Sequence, residues 1–263
     1  MRSLKSFSYL LGTSAMLALL AGCNGSGMTG STPAISSATQ MSNVQPFAAK
    51  TCPNTLTAVH NPGVPLKSAA TFAVLAGSTV TNAGPTILNG DLGVFPGTAI
   101  TGFGPGVVNG TIHAGDPVAG QAQADLTFAY NNAVARKNPT ALPADIGGMT
   151  ITPGLYNAPV SLGISGTVTL DGKNRQNSVF IFQIPSTLTT AVNSSVTLTN
   201  KANPCNIYWQ VGSSATLNTA STFSGTIMAQ ASISLGTGST VNGRLLAESG
   251  AVTLLSNTVT VPK

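Results

Sequence analysis

The stretch "TLNTASTFSGTIMA" spans residues 216–229, and "SLGTGSTVNGRLLA" spans residues 234–247. The two align without a gap at a spacing of 18, and each carries one four-residue unit, Thr219-Ala220-Ser221-Thr222 and Thr237-Gly238-Ser239-Thr240. The same spacing joins Phe223, Val241 and Val259, Gly225 and Gly243, Ile227 and Leu245, and Ala229 and Ala247, while Leu254 falls one residue off the step from Leu217 to Leu235. A fixed period of this length is the signature of a solenoid. Eighteen residues suit one coil of three short strands with tight corners, and equivalent positions then stack about 4.7–4.8 Å apart.

Outward from this pair the texture persists. "TLTTAVN" (187–193) matches the unit at a spacing of 29, and the extra length coincides with "TNKANPCN" (199–206), read as a loop bulging from one coil. Solenoids tolerate such insertions because each coil contacts only its neighbours. In the N-terminal half the Asn-Gly pairs at 89–90 and 109–110 repeat at a spacing of 20 and mark turns. "TAIT" (98–101) again fits Thr-Ala/Gly-x-Thr/Asn. One segment breaks the pattern: Asp116 is a good N-cap, Pro117 a good first helical residue, and Val118, Ala122, Leu126, Ala129, Ala133 and Val134 form an apolar stripe. A helix over about 117–137 follows, with Arg136 and Lys137 in its last turn complementing the dipole. The fold expected is mainly β: a three-sided right-handed β-solenoid with one long helix alongside, leaving two sides open.

Strand parity orders the threonines. With Phe223, Val241 and Val259 inward, Thr222, Thr240 and Thr258 point outward. With Leu217, Leu235 and Leu254 inward, Thr216, Ser234 and Thr253 point outward. Thr219 and Thr222 are three residues apart, so one unbroken strand cannot show both on one face; a corner or bulge lies inside the unit, or one threonine is inward.

The ends bound the setting. Arg2 and Lys5, an apolar run and Leu20-Ala21-Gly22-Cys23 read as a signal over 1–22 with a lipobox, implying lipidation of Cys23. Asn24 after it points to the outer membrane, and export to the cell surface or beyond is expected in any case. Residues 23–50 are small and polar and read as a tether; 51–263 is the folded domain. In an exported chain the remaining pair, Cys52 and Cys205, favours a disulfide over two buried thiols.

Charge and chemistry exclude much. Without Arg2 and Lys5 the chain keeps nine basic and six acidic residues, a net charge of +3, with no basic stripe or interleaved aromatics for nucleic acid. Asp91, Asp116, Asp125, Asp145, Asp171 and Glu248 form no close pair in sequence for glycosidase work. Gly163-Ile164-Ser165-Gly166 is one residue short of a nucleophile elbow, and His60 and His113 lack ligand partners at zinc spacing. "GFGPG" (102–106) precedes no helix, unlike a phosphate-binding loop. No cofactor, metal or enzyme activity is expected.

The blocks "AATFAVLAGSTVTNAG" (69–84), "LNGDLGV" (88–94), the capped helix, "VFIFQI" (179–184), "IYWQVGSSATL" (207–217) and "FSGTIMAQASISLGTGSTVNGRLLAESGAVTL" (223–254) resemble the ice-binding protein family of bacteria, fungi and algae. The resemblance covers about residues 65–263 and implies coils that need not stack in chain order and a flat, helix-free face that binds ice. In that family Thr-Ala/Gly-x-Thr/Asn is associated with the binding face of strongly active members. It implies a site drawn from Thr222, Thr240, Thr258, Thr219, Thr237, Thr190, Asn193, Thr98, Thr101, Thr216, Ser234 and Thr253. The expected partner is an ice crystal surface, with a membrane engaged only through the lipid anchor and the protein a monomer. The rival expectation is a cell-surface adhesin or carbohydrate-binding solenoid, which a groove lined by Trp209 and tyrosines would favour.

Overall fold

Successive strands of this chain lie parallel, and the pairing shows why. A computed structural model describes Cys52 and residues 63–263; the signal over 1–22, the lipidation of Cys23 and the tether to residue 50 lie outside the described residues. Thr222–Ala229 and Thr240–Ala247 are in register from Thr222↔Thr240 to Ala229↔Ala247, the period of 18 seen in the sequence. Both long strands turn at a glycine. Gly225 has φ +109°, and a Cβ on Gly243 would lie 1.8 Å from the Gly225 carbonyl oxygen, so no side chain fits at that bend.

The bend divides each coil into three faces. The first halves of the long strands continue a ladder with Thr167–Asp171, Ser195–Thr199, Thr258–Thr260 and Ile87–Asn89; this is the adjoining face. The second halves continue one with Phe180–Ile184, Ile207–Val211, Phe72–Ala76 and Asp91–Val94; this is the helix face. The third is a separate sheet of seven strands in spatial order Leu162–Ile164, Leu188–Thr190, Ala215–Leu217, Ile233–Leu235, Val252–Leu255, Thr79–Ala83 and Ala99–Thr101; this is the seven-strand face.

Space and sequence part company at one place. Phe72–Ala76 pairs with Thr240–Ala247, and Thr79–Ala83 pairs with Val252–Leu255, so the first coil stacks on the last. The helix, Pro117–Val134, carries the chain back along the stack. Eighteen residues at about 1.5 Å each span about 27 Å. Asp116 accepts from the Ala119 backbone N–H and Pro117 occupies the first turn, as the sequence indicates. Two expectations about the helix change. It ends at Val134, so Arg136 and Lys137 lie beyond it, and Arg136 donates instead to the Gly63 carbonyl and to Asn132 Oδ1. Val118 and Val134 are exposed, and the buried stripe is Ala119, Ala122, Leu126, Ala129, Tyr130 and Ala133. Small residues dominate it because the helix lies close against Leu75, Ile181, Met228 and Leu246.

Inside the coils Trp209 stacks on Phe182 at 3.9 Å and tilts against Phe223 at 5.1 Å, fully buried. Phe103 of the 102–106 loop packs on the same core beside Ile100, at the last coil of the stack. That loop is therefore an end plug, which removes an open apolar end.

A strap completes the helix face. Cys52 is bonded to Cys205, with Cα atoms 5.4 Å apart. Lys67 and Ser68 reach Asp125 of the helix, with Ser68 Oγ donating over 2.6 Å. Beneath it Arg244 is fully buried; its Nε donates to the Ala70 carbonyl at 2.7 Å and its Nη1 to Thr226 Oγ1 at 3.3 Å. Burial pulls its pKa down to about 10.

Two outcomes test this frame. The disulfide closes a sequence separation of 153 residues, and removing it by Cys52→Ser with Cys205→Ser lowers unfolding free energy by about 3–5 kcal/mol in denaturant titration. An unchanged midpoint contradicts the staple. The Lys173 backbone N–H, then the Asn200 amide, hold the Asp171 carboxyl down from its ordinary 3.8 to about 2. Backbone donors at Ala119 and a hydrogen bond from Ser165 also lower Asp116 and Asp145. A depressed folded pKa gives stability that is complete above 3.8 and is lost as pH falls toward about 2. The aspartates therefore make thermal midpoints fall as pH drops from about 4 toward 2.

Candidate ice-binding face

The seven-strand face is built from alternation. Leu162, Leu188, Ala215, Ile233, Val252 and Val80 point into the core and are buried. The next residue on each strand points out, and register joins Gly163, Thr189, Thr216, Ser234, Thr253, Thr81 and Thr101 into one column. A second outward column runs two residues earlier through Ser161, Thr187, Ser214, Ser232, Ala251, Thr79 and Ala99. Thr187 Oγ1 donates to Ser161 Oγ at 2.9 Å across that column. Neither column holds a charged residue. The rows repeat at about 4.8 Å along the stack, and the columns stand about 6.6 Å apart along a strand. Most of these side chains are half-buried by their neighbours, which is what a level surface of short side chains produces.

The corner between this face and the adjoining one is where the Thr-Ala/Gly-x-Thr unit sits. Ala220 and Gly238 take φ +57° and +72°, the left-handed turn that ends one strand and begins the next. Thr219 and Thr237 are exposed at the corner, and Thr222 and Thr240 are exposed on the adjoining face. The third residue of the unit points inward. Ser221 and Ser239 are buried, and Ser239 Oγ lies 2.9 Å from both the Asn218 and the Gly236 carbonyl oxygens. Asn257 takes the same place in the last coil, donating to Gly236 O at 2.8 Å and to Ser239 O at 3.2 Å. Its own N–H donates to Thr86 Oγ1, and Thr86 Oγ1 donates to Asn82 Oδ1. A polar spine thus runs inside the corner from Ser221 to Asn82, across the junction between the last coil and the first.

The residues singled out from the sequence do not form one plane. Thr216, Ser234, Thr253 and Thr101 share the main column of the seven-strand face. Thr222, Thr240 and Thr258 form a column on the adjoining face with Thr167 and Ser195. Thr219, Thr237 and Asn193 (φ +58°) stand at the corner. Thr98 is exposed just before Ala99–Thr101, so "TAIT" is a strand entry and not a corner unit. Thr190 is the correction: it is 1% exposed and stacks beside Ile164. Its Oγ1 accepts from the Asn218 N–H at 2.9 Å and pairs with Ser221 Oγ at 2.8 Å, so it belongs to the spine. The cause is register. The structure pairs Leu188 with Ala215 and Ser195 with Thr222, a step of 27 and not 29. A slip of two residues preserves strand parity, so the sequence pattern accepts both. Thr81 and Thr189 of the main column were missed. Thr79-Val80-Thr81 alternates in the required way, but its register partners lie 172 residues further on (Thr81 to Thr253).

The adjoining face is less clear of obstruction. The insertion before Ile207 follows its Ser195–Thr199 strand, bonds the 172–175 turn and carries exposed Lys201, with exposed Lys173 and Arg175 on that turn, and Ser224 in its second column is 7% exposed. Other chemistry is not assembled. Asp116 and Asp145 cap backbone donors, Asp171 pairs with Lys173, and Asp125 holds the strap. Among the described residues no three His, Cys, Asp or Glu side chains gather as a metal site. Trp209 is core and cannot serve as a sugar-stacking platform.

Fold and face together define a helix-flanked β-solenoid with a level, uncharged hydroxyl surface. The chain belongs to the ice-binding-like family, whose model matches residues 74–260. It is 49% identical over 199 residues to an ice-binding protein of Nostoc sp. (strain HG1), covering 74% of this chain and 73% of the relative. It is 36% identical over 215 residues to an ice-binding protein of Flavobacterium frigoris (strain PS1), covering 76% and 77%. Among solved structures, an ice-binding protein from an Antarctic biological consortium superposes with TM-score 0.75 at 47% identity, covering 78% of this chain and 94% of that one. One from the Antarctic ascomycete Antarctomyces psychrotrophicus gives 0.74 at 44% identity, covering 76% and 99%.

The spine makes a direct prediction. Ser239→Ala removes the hydroxyl that bridges the Asn218 and Gly236 carbonyls of neighbouring coils, both of which keep other donors, and costs about 0.5–1.5 kcal/mol. Hydrogen exchange then speeds at the corner amides of Ser239 and Thr240 while the helix stays protected. Equal protection in both proteins contradicts the assignment.

Proposed function

We propose that this protein binds ice through the seven-strand face. One observation carries the reading: an unbroken column of Thr189, Thr216, Ser234, Thr253, Thr81 and Thr101, uncharged and free of insertions, on a separate sheet. Each threonine offers a methyl and a hydroxyl, and β-branching restricts its rotamers, so the array is preordered. Water held along such a column merges with a growing lattice, and no group transfer is involved. Thr219 and Thr237 extend the surface at its margin. Thr222, Thr240 and Thr258, across the corner, contribute less.

The N-terminal features support a surface-bound role. Cys52 is fixed to Cys205 and lies 3.6 Å from Arg244 Nη2, on the side of the solenoid formed by the adjoining and helix faces. In this reading the chain is lipid-anchored at Cys23. This reading has the protein exported, monomeric, free of any cofactor and without enzymatic activity, inhibiting ice growth or holding a cell to ice.

The test is thermal hysteresis and recrystallisation inhibition by residues 51–263. Ser234→Tyr abolishes both, because a ring raised from the column prevents flat contact, while Thr240→Tyr retains most of the activity. Inactive folded wild type overturns the function, and loss in Thr240→Tyr with retention in Ser234→Tyr moves the site to the adjoining face.

A further inference from the structure

Three Asn-Gly pairs of the folded domain, Asn89-Gly90, Asn109-Gly110 and Asn242-Gly243, fall on one column of the adjoining face, joined by the register Asn242↔Thr260↔Asn89 and continued to Asn109. The coil geometry requires their glycines: a Cβ on Gly110 would lie 2.3 Å from the Gly90 carbonyl oxygen, and one on Gly243 would lie 1.8 Å from that of Gly225. An Asn followed by Gly is also the most open arrangement for attack of a backbone nitrogen on a side-chain amide, since Gly has no side chain to obstruct ring closure. The question is which pair the fold leaves free to react.

We infer that Asn109-Gly110 is a self-modification site, converting to aspartate and isoaspartate, while the other two pairs are protected. Ring closure needs Asn109 to swing its Cγ onto the Gly110 nitrogen. Asn242 cannot do so without leaving the middle of an eight-residue strand paired from Thr222↔Thr240 to Ala229↔Ala247. Asn89 is held by its Nδ2 donating to Thr260 Oγ1 at 3.0 Å and its Oδ1 accepting from Asn109 Nδ2 at 2.8 Å, and the Gly90 N–H is engaged with the Asn109 carbonyl at 3.2 Å. Asn109 shares that one side-chain bond to Asn89 and differs in the rest. It is exposed, it follows a two-residue strand that pairs on one side only, and the Gly110 N–H finds no acceptor among the described residues.

The step balances. The Gly110 nitrogen loses its proton and bonds to Asn109 Cγ, the side-chain nitrogen leaves with protons as ammonia, and water opens the cyclic imide at either carbonyl. Opening at one gives aspartate; opening at the other gives isoaspartate, with the chain routed through the former side chain. The product places a new carboxylate beside Asp91, whose Oδ1 accepts the Thr111 N–H, and removes the donor to Asn89 Oδ1. The coil at that end of the stack, which also carries Ala99–Thr101, loosens at its adjoining-face side.

The purified chain is held at mildly alkaline pH and peptide-mapped over time, native and in urea, with Asn24-Gly25, outside the described residues, as an internal reference. In the native protein Asn109 converts at least several-fold faster than Asn89 and Asn242, with matching ammonia release, and in urea the three converge. Asn109→Ser abolishes the early ammonia release assigned to the folded domain. Equal native rates, or Asn242 or Asn89 converting first, overturns the inference. The readout is independent of ice, so it stands or fails apart from the proposed function.

Discussion

The structure depends on a corner made of two residues acting together. One takes a left-handed backbone, as Ala220, Gly238 and Ser256 do, and the next turns a short polar side chain inward, as Ser221, Ser239 and Asn257 do. The backbone turn brings the Asn218 and Gly236 carbonyls to the inside of the corner, where the Ser221 and Ser239 N–H groups reach them over only 3.2 and 3.3 Å. The inward hydroxyl or amide meets them, and because it bridges to the next coil it also fixes the spacing between rows. A level face is the consequence, since its edge is pinned at every row from Ser221 to Asn82.

The same logic explains how a chain that stacks its first coil on its last remains one body. Parallel strands need no particular sequence order, only matching register. Val80 meets Val252 inside and Thr81 meets Thr253 outside, so the column crosses the junction without a step. Asn257 and Thr86 carry the polar spine across the same boundary. The helix and the strap seal the face that lacks such a column, and the disulfide at Cys205 fixes the strap's far end.

Much of the solenoid was legible in the sequence. The period of 18 gave the register of Thr222–Ala229 on Thr240–Ala247, and the capping pair Asp116-Pro117 gave the helix start. Parity points Thr222 and Thr216 outward, and the three-residue step from Thr219 to Thr222 leaves a corner or bulge inside the unit or one inward threonine; the structure has the corner, at Ala220. What parity does not encode is the identity of the face on each side of a corner, so two columns read as one site. It also does not separate a step of 27 from one of 29, and Thr190 was assigned outward although it serves the spine. The N-terminal half of the column was hidden because nearest neighbours in space are far apart in sequence.

The central claim is the proposal that ice meets the seven-strand face ahead of the adjoining one. Magnetisation transfer from ice protons to the protein in a frozen sample tests it without altering a residue. The account predicts that Thr81, Thr189, Thr216 and Thr253 respond first and that Thr167, Thr197 and Thr240 lag. Earlier transfer to the adjoining face, or equal transfer to both, contradicts it.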